Sequence, residues 1–342
     1  MRYMKANETS LSPYSLCKQC PRCCGADRVH TVDLTSYSRR ALCGEGEEVR
    51  IAWAGLHTGE EPPITVWKGT GAIFFTGCNL RCPFCQNYQI SWGGMGRKVD
   101  VDEAVRICLA LQEAEAENIS LITASHQVPR VATFIREAKR QGLAIPVVWN
   151  SSAYEKVSTL KELSDVVDVW LPDLKTVRED IASRLFGAAD YPRVAKEAIL
   201  WMAEQSPLML HDVARGTQVR EKITRGLIVR HLALPGFTDD TIETLQWLKD
   251  NIDARAAVSL MSQYTPSSEA KTVDEPLLMR TLNTGEIETL DDLAAAFDFQ
   301  LLYKQEEGTE DAQLLPDFSQ TAAFPSSLAT PLWHWREGFV CR

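Results

Sequence analysis

Cys78, Cys82 and Cys85, in the stretch GCNLRCPFCQN, have the spacing C-x3-C-x2-C. They put three thiolates on one short loop. A structural zinc site takes four protein ligands, and a [4Fe–4S] cluster held by protein alone also takes four. A loop that supplies three leaves one iron open to bind a small molecule. The competing reading is a zinc knuckle that borrows a distant fourth ligand. Gly77 lets the chain turn sharply into the loop, and Phe84 sets an aromatic ring just before the last cysteine.

A second set lies upstream. Cys17, Cys20, Cys24 and Cys43 form C-x2-C-x3-C-x18-C, and four thiolates suit either tetrahedral zinc or a second [4Fe–4S] cluster. The spacing does not decide between them. Residues 1–50 are rich in Cys, Gly and charge with little hydrophobic periodicity, so a metal staple substitutes for a core of their own. The chain holds ten cysteines, and its first residues, MRYMKANETSLSPYS, lack the apolar stretch of a secretory signal. That combination reads as metal ligands in a cytoplasmic protein, not as a disulfide framework. Cys108 falls on the apolar face of an amphipathic stretch and reads as a small core hydrophobe.

The elements that must position these thiols begin near residue 70. Short apolar runs at Ala72–Thr76, Ile119–Thr123, Ile145–Trp149, Val166–Leu171, Gly226–Leu232 and Ala257–Met261 read as strands. Helical spacing predicts helices over Asp102–Asn118, capped by Asp100 or Asp102, over Pro129–Gln141, stopped by Gly142, and over Asp239–Asn251. A hairpin is expected in Leu208–Ile223. Six wholly apolar strands separated by helices imply a parallel sheet covered by helices. Six is two short of a closed eight-stranded barrel, so the expected fold is α/β, a partial, open-sided (β/α)6 barrel with a small Cys-rich N-terminal segment. The expected units are residues 1–60 (Cys-rich), 61–300 (barrel) and 301–342, a partly extended tail whose aromatic end, LWHWREGFVCR, docks back. The cysteine loop follows the first of the six strands, and chemistry in such folds sits at the C-terminal strand ends. A net charge of −10 disfavours a nucleic-acid substrate, and no apolar run reaches the ~18 residues of a membrane span.

From about residue 15 to 300 the sequence resembles the pyruvate formate-lyase activating enzyme-like branch of the radical S-adenosylmethionine (SAM) superfamily, a group related to glycyl-radical-enzyme activases. The resemblance rests on CPRCCGADR, EEPPITVWKGTGAIFFTGCNLRCPFCQNYQIS, LITASHQVP, VVWNSSAYE, VWLPDLKT, LIVRHLALPG and MSQYTP. It implies a [4Fe–4S] cluster on Cys78, Cys82 and Cys85, SAM on the open iron, and a reductant such as flavodoxin or ferredoxin. Phe84 would lie against the adenine, although simple core packing is the ordinary role of a Phe. Activases carry Gly-Gly-Glu after the second strand. Here Thr123-Ala124-Ser125-His126 takes its place, so Thr123 and Ser125 would supply oxygen ligands and His126 a hydrogen bond or proton transfer. Asn150 would bond the ribose or carboxylate, and Asp173 with Lys175 resembles the activase Asp-x-Lys. Arg230 would clamp a carboxylate, with His231 turned to the opposite face. The resemblance also covers CPR-x-CG, which leaves Cys23 at a variable position outside the ligand set.

The implied activity is reductive cleavage of SAM to a 5′-deoxyadenosyl radical that abstracts hydrogen from a substrate, with a protein glycine as the leading target. Radical modification of a peptide or small metabolite is the alternative within that chemistry. A radical SAM methyltransferase using Cys341 is another, and a non-catalytic iron–sulfur or zinc module is the alternative outside it. Bland roles compete at single residues: a local ion pair for Asp173 and Lys175, and a helix-entry cap for His126.

Overall fold

The computed structural model describes residues 12–30, 41–267, 275–304 and 315–340. Its sheet starts earlier than expected. Strand β1 (Arg50–His57) lies antiparallel to β2 (Thr70–Phe75), with Trp53 opposite Phe74 and Leu56 opposite Gly71. The short β3 (Arg97–Lys98) pairs with the start of β1. Single turns α1 (Pro62–Thr65) and α2 (Tyr88–Ser91) flank β2. Then α3 (Val101–Glu113) leads to β4 (Ile119–Ile122), α4 (Val128–Arg140) to β5 (Val147–Ser151), and the short α5 (Val157–Leu160) to β6 (Val169–Pro172). Asp100 caps α3, its side chain accepting from the Glu103 amide at 2.7 Å.

After α6 (Glu179–Phe186) and α7 (Tyr191–Gln205) comes the expected hairpin, β7 (Met209–Arg215) against β8 (Gln218–Leu232). Helix α8 (Thr238–Ile252) returns the chain to β9 (Ala257–Met261), and α9 (Thr284–Phe297) to β10 (Leu302–Lys304). The chain ends in β11 (Ala329–His334) and β12 (Gly338–Phe339). The strand order is β10-β9-β8-β6-β5-β4-β2-β1-β11-β12. Strands β2, β4, β5, β6, β8 and β9 run parallel, as the six apolar runs require, and β10 adds a further parallel strand beside β9. The protein has the α/β fold of a partial, open barrel with a mostly parallel sheet. Among the described residues, no helix is long and apolar enough to cross a membrane.

Side chains two apart on a strand share a face. One face of the sheet packs under the helices, where Leu121, Trp149, Trp170, Val229 and Val258 meet Ile107, Ile135, Ile199 and Leu248. The other face carries Val148, Val169, Leu171, Ile228 and Ala257, and against it packs Ile64 of α1. The segment between β1 and β2 therefore enters the barrel and fills it from inside. Asn150, Asp173 and Arg230 share this inner face, each two residues beyond an inner-face apolar residue (Val148, Leu171, Ile228).

Strands β1 and β11 build the antiparallel edge of the sheet. Phe318, Phe324 and Phe74 form an aromatic cluster with ring centroids 5.2–5.8 Å apart, and Phe318 and Trp333 are fully buried. Phe318 and Trp333 of the C-terminal segment are therefore part of the core. Phe318→Ala is expected to lose about 3–5 kcal/mol of unfolding free energy. Denaturant titration checks this, and a wild-type midpoint would show that the segment adds nothing to the core.

Candidate active site

Residues 78–85 contain no helix or strand, so the loop takes its shape from its neighbours. It leaves β2 through Gly77, whose φ of +83° lies in the left-handed region. A Cβ there would collide with Glu45 Cγ and stand 2.8 Å from the Cys43 carbonyl. The Gly77 amide donates to Ile90 O at 3.0 Å, and Asn79 Nδ2 to Tyr154 O at 2.7 Å. Arg22 donates to Asn79 O at 3.0 Å and Leu80 O at 3.4 Å, and also to Phe186 O at 2.7 Å and Gly187 O at 2.5 Å. One guanidinium thereby ties the loop to the C-terminus of α6.

Cys78 and Cys82 are buried and Cys85 half-buried. Two donors address the sulfurs: the Leu80 amide lies 3.4 Å from Cys78 Sγ, and Ser91 Oγ 3.3 Å from Cys85 Sγ. Burial pushes the Cys85 thiol up to about 11, partly offset by Ser91. Burial raises Cys82 further still, although Lys175 pulls in the other direction. Bare thiolates would be poorly stabilised here; thiolates bound to iron would not.

Behind the loop lies a buried charge network. Arg230 Nε donates to Asp173 Oδ1 at 2.7 Å, Nη1 to Glu60 Oε2 at 2.9 Å, and Nη2 to Asn150 Oδ1 at 2.6 Å. Asn150 Nδ2 donates to Glu60 Oε1 at 3.1 Å, and Lys175 Nζ to Asp173 Oδ2 at 2.9 Å. Burial opposes the charge on Asp173, yet Arg230 and Lys175 hold its carboxyl below the usual range. Burial likewise opposes the Lys175 charge, but Asp173 and Cys82 keep its pKa above normal. Glu61 closes the network, 3.8 Å from Arg230, and burial raises it to about 7.

Four of the expected residues, Asn150, Asp173, Lys175 and Arg230, thus come together. Their roles differ from expectation in one respect: the carboxylates clamped by Arg230 belong to the protein's own Glu60 and Asp173. His231 does turn away, bonding Leu174 O and Thr241 Oγ1. Ser125 donates to Glu155 Oε1 at 2.7 Å, in a buried set completed by Trp149 Nε1 and Ser151 Oγ. His126 Nε2 lies 2.9 Å from Thr76 O, and burial lowers its pKa to about 3, which suits a neutral brace under the loop and not a proton donor. Phe84 packs edge-to-face with Phe186 and Tyr264, in the ordinary core role. Thr123 takes φ +62°, a strained value for a β-branched residue, while its amide donates to Asn150 O at 2.9 Å. Cys341 lies outside the described residues.

Residues 72–248, just over half of the chain, match the profile of the Radical SAM superfamily. The chain belongs to that superfamily. An uncharacterized protein of Methanocaldococcus jannaschii, MJ0674, is 28% identical over 261 residues, covering 72% of this chain and 68% of its own. The Escherichia coli pyruvate formate-lyase 1-activating enzyme is 24% identical over 123 residues, 34% of this chain and half the length of that enzyme. A solved radical SAM methyltransferase from Sphaerobacter thermophilus aligns with 14% identity and a TM-score of 0.49, covering 75% of this chain and 69% of that one.

The protein is a radical SAM enzyme, and its family uses a [4Fe–4S] cluster with SAM. The chemistry of the donor set fits: three thiols on one loop, sulfurs addressed by N–H and O–H donors, and a lysine close enough to act on one of them. Glu60, Glu61 and Glu155 were missed from sequence. The Glu-Glu-Pro-Pro pair at the head of a matching stretch was the available signal for the first two.

Because burial raises Glu61 from 4.5 to about 7, the folded state holds its proton more tightly than the unfolded state. The group costs nothing where both states are protonated, and stability falls as pH rises from about 4.5 towards 7. Glu61→Gln is expected to flatten that fall, read as the change in denaturant midpoint between about pH 5 and about pH 8. An unchanged slope would mean that Glu61 ionises normally.

Proposed function

We propose that this enzyme cleaves SAM reductively and uses the resulting radical to abstract hydrogen from a glycine of a partner protein. The carrying observation is the cysteine loop beside the Lys175–Asp173–Arg230 network. Cys78, Cys82 and Cys85 would hold a [4Fe–4S] cluster, which, once reduced, would supply the one electron for cleavage of SAM to methionine and a 5′-deoxyadenosyl radical.

The chain's own residues hold and orient. Lys175 Nζ makes one hydrogen bond, to Asp173, among the described residues, which leaves two of its three donors for the SAM carboxylate. Asp173 fixes the direction of that ammonium and keeps it charged. Asn150 is fixed in turn by Arg230 and Glu60, and its placement suits a ribose or carboxylate partner. Arg230 acts through these residues and not by contact with SAM. The strained turn at Thr123, after β4, sets backbone where activases carry Gly-Gly-Glu.

A glycine target is supported by the partial match to a pyruvate formate-lyase 1-activating enzyme and by the open side of the barrel, which admits a loop of a large substrate. The reductant on this reading is a small electron carrier of the flavodoxin or ferredoxin kind, and the setting is cytoplasmic.

Anaerobically reconstituted full-length protein, given dithionite and SAM, is expected to form 5′-deoxyadenosine, and Cys82→Ser to form none. Lys175→Gln is expected to raise KM for SAM by about 10- to 100-fold, the worth of a charged hydrogen bond. No 5′-deoxyadenosine from the wild type would eliminate radical chemistry. For the target, a glycyl radical enzyme encoded alongside is expected to gain a glycine-centred electron paramagnetic resonance signal. Hydrogen uptake from a peptide or metabolite without that signal would replace the activase reading.

A further inference from the structure

The N-terminal cysteines have no part in the chemistry above, yet they fold into one compact knot. The Cys17 amide donates to Ala26 O at 2.9 Å, the Gly25 amide to Cys17 O at 3.0 Å and the Cys23 amide to Cys20 O at 3.1 Å. Cys17, Cys20 and Cys43 are buried, while Cys24 stands at the exposed edge. Cys20 lies within electrostatic reach of Cys17 and Cys24, and Cys43 within reach of Cys20. Cys23 stands apart: it is exposed, has φ +42°, and sets its thiol 3.6 Å from the Cys20 carbonyl. Four thiols of five are thus gathered, and they are the four of the C-x2-C-x3-C-x18-C spacing.

Arg28 supplies the second observation. Its guanidinium is 3% exposed and stacks 4.5 Å over the Tyr14 ring. It donates to the carbonyls of Glu45, Gly46 and His126 and, at 3.5 Å, to Cys17 Sγ. None of these bonds goes to a carboxylate, and Glu45, the acid within electrostatic reach, is paired with Arg50 at 3.0 Å. A buried permanent cation needs negative charge nearby. Neutral thiols do not provide it; metal-bound thiolates do.

The knot is also fastened to the loop of Cys78. Arg22, inside the Cys20–Cys24 turn, holds the carbonyls of Asn79 and Leu80. The Cys43 carbonyl and Glu45 press on Gly77, and Arg81 of the loop lies against Gly44. Thr159 Oγ1 donates to Gln19 O at 2.8 Å and Lys156 Nζ to Lys18 O at 2.7 Å, which ties the knot to α5 and its cap.

We infer that Cys17, Cys20, Cys24 and Cys43 bind a second [4Fe–4S] cluster, seated directly against the loop that carries the first. Four thiolates are the complete protein ligand set of such a cluster, one on each iron, and its place against the first loop suits a redox centre. Arg28 offsets the negative charge of the thiolate cage and donates to one sulfur. Through Arg22 and Cys43, a filled cage fixes two edges of the first loop. This assignment concerns metal content and stands apart from the SAM-cleavage reading.

Metal analysis of the full-length protein, purified and reconstituted without oxygen, tests it. The wild type is expected to hold about eight iron and eight sulfide per chain and no stoichiometric zinc. The C78S/C82S/C85S variant is expected to keep about four iron, with a reducible cluster signal by electron paramagnetic resonance. The C17S/C20S variant is expected to fall to about four iron. A wild type with about four iron, with or without one zinc, overturns the inference, as does a C78S/C82S/C85S variant without iron. If C17S/C20S fails to fold, the wild-type count and the C78S/C82S/C85S variant still decide. A protein that carries eight iron but does not cleave SAM would keep this inference and remove the functional one.

Discussion

On the proposed reading one short loop offers three thiols to one cluster, and such a loop cannot also shape itself. The segment from Cys78 to Cys85 has no helix or strand, so its backbone groups must be satisfied from outside. Arg22 takes two of its carbonyls, Tyr154 receives the Asn79 amide, Ser267 Oγ donates to Pro83 O, and His126 braces Thr76 O just ahead of it. The parallel sheet matters because β2 ends where these partners converge. The N-terminal knot, α6 and the turn after β4 are all placed by what they give to this loop.

The same economy governs the charges. Arg230, Asp173, Glu60, Glu61 and Lys175 are nearly buried, and such a set persists only when each member is answered. Arg230 answers three neighbours at once, with planar donors that a lysine could not arrange. Its engagement leaves Lys175 as the cation with donors to spare. Glu60 and Glu61 arrive on the segment between β1 and β2, so the barrel filling also positions the site.

Much of this was legible in the sequence, for reasons that mark the limit. The six parallel strands are mostly apolar runs, and Ala257–Met261 matched end to end. Asp173 and Arg230 were legible through the resemblance, which put them after the fourth strand and near the top of the fifth. The antiparallel edge was not: β11, the partner of RIAWAGLH, is far away in sequence, so neither segment announces the other. Glu60 and Glu61 were missed because the Glu-Glu-Pro-Pro run does not by itself tell that the chain turns into the barrel. Ser125 and His126 were matched to a ligand by position, whereas Glu155 and the Thr76 carbonyl claim them first. Local pattern shows a side chain's face but not its competing partners.

The central claim is that the metal on Cys78, Cys82 and Cys85 keeps a position open for SAM. The most direct measurement is electron paramagnetic resonance of the dithionite-reduced full-length protein during titration with SAM. The account predicts a change in the cluster's g-values that saturates at about one SAM per chain and is absent from C78S/C82S/C85S. A spectrum indifferent to SAM, in protein whose loop carries its iron, would contradict it.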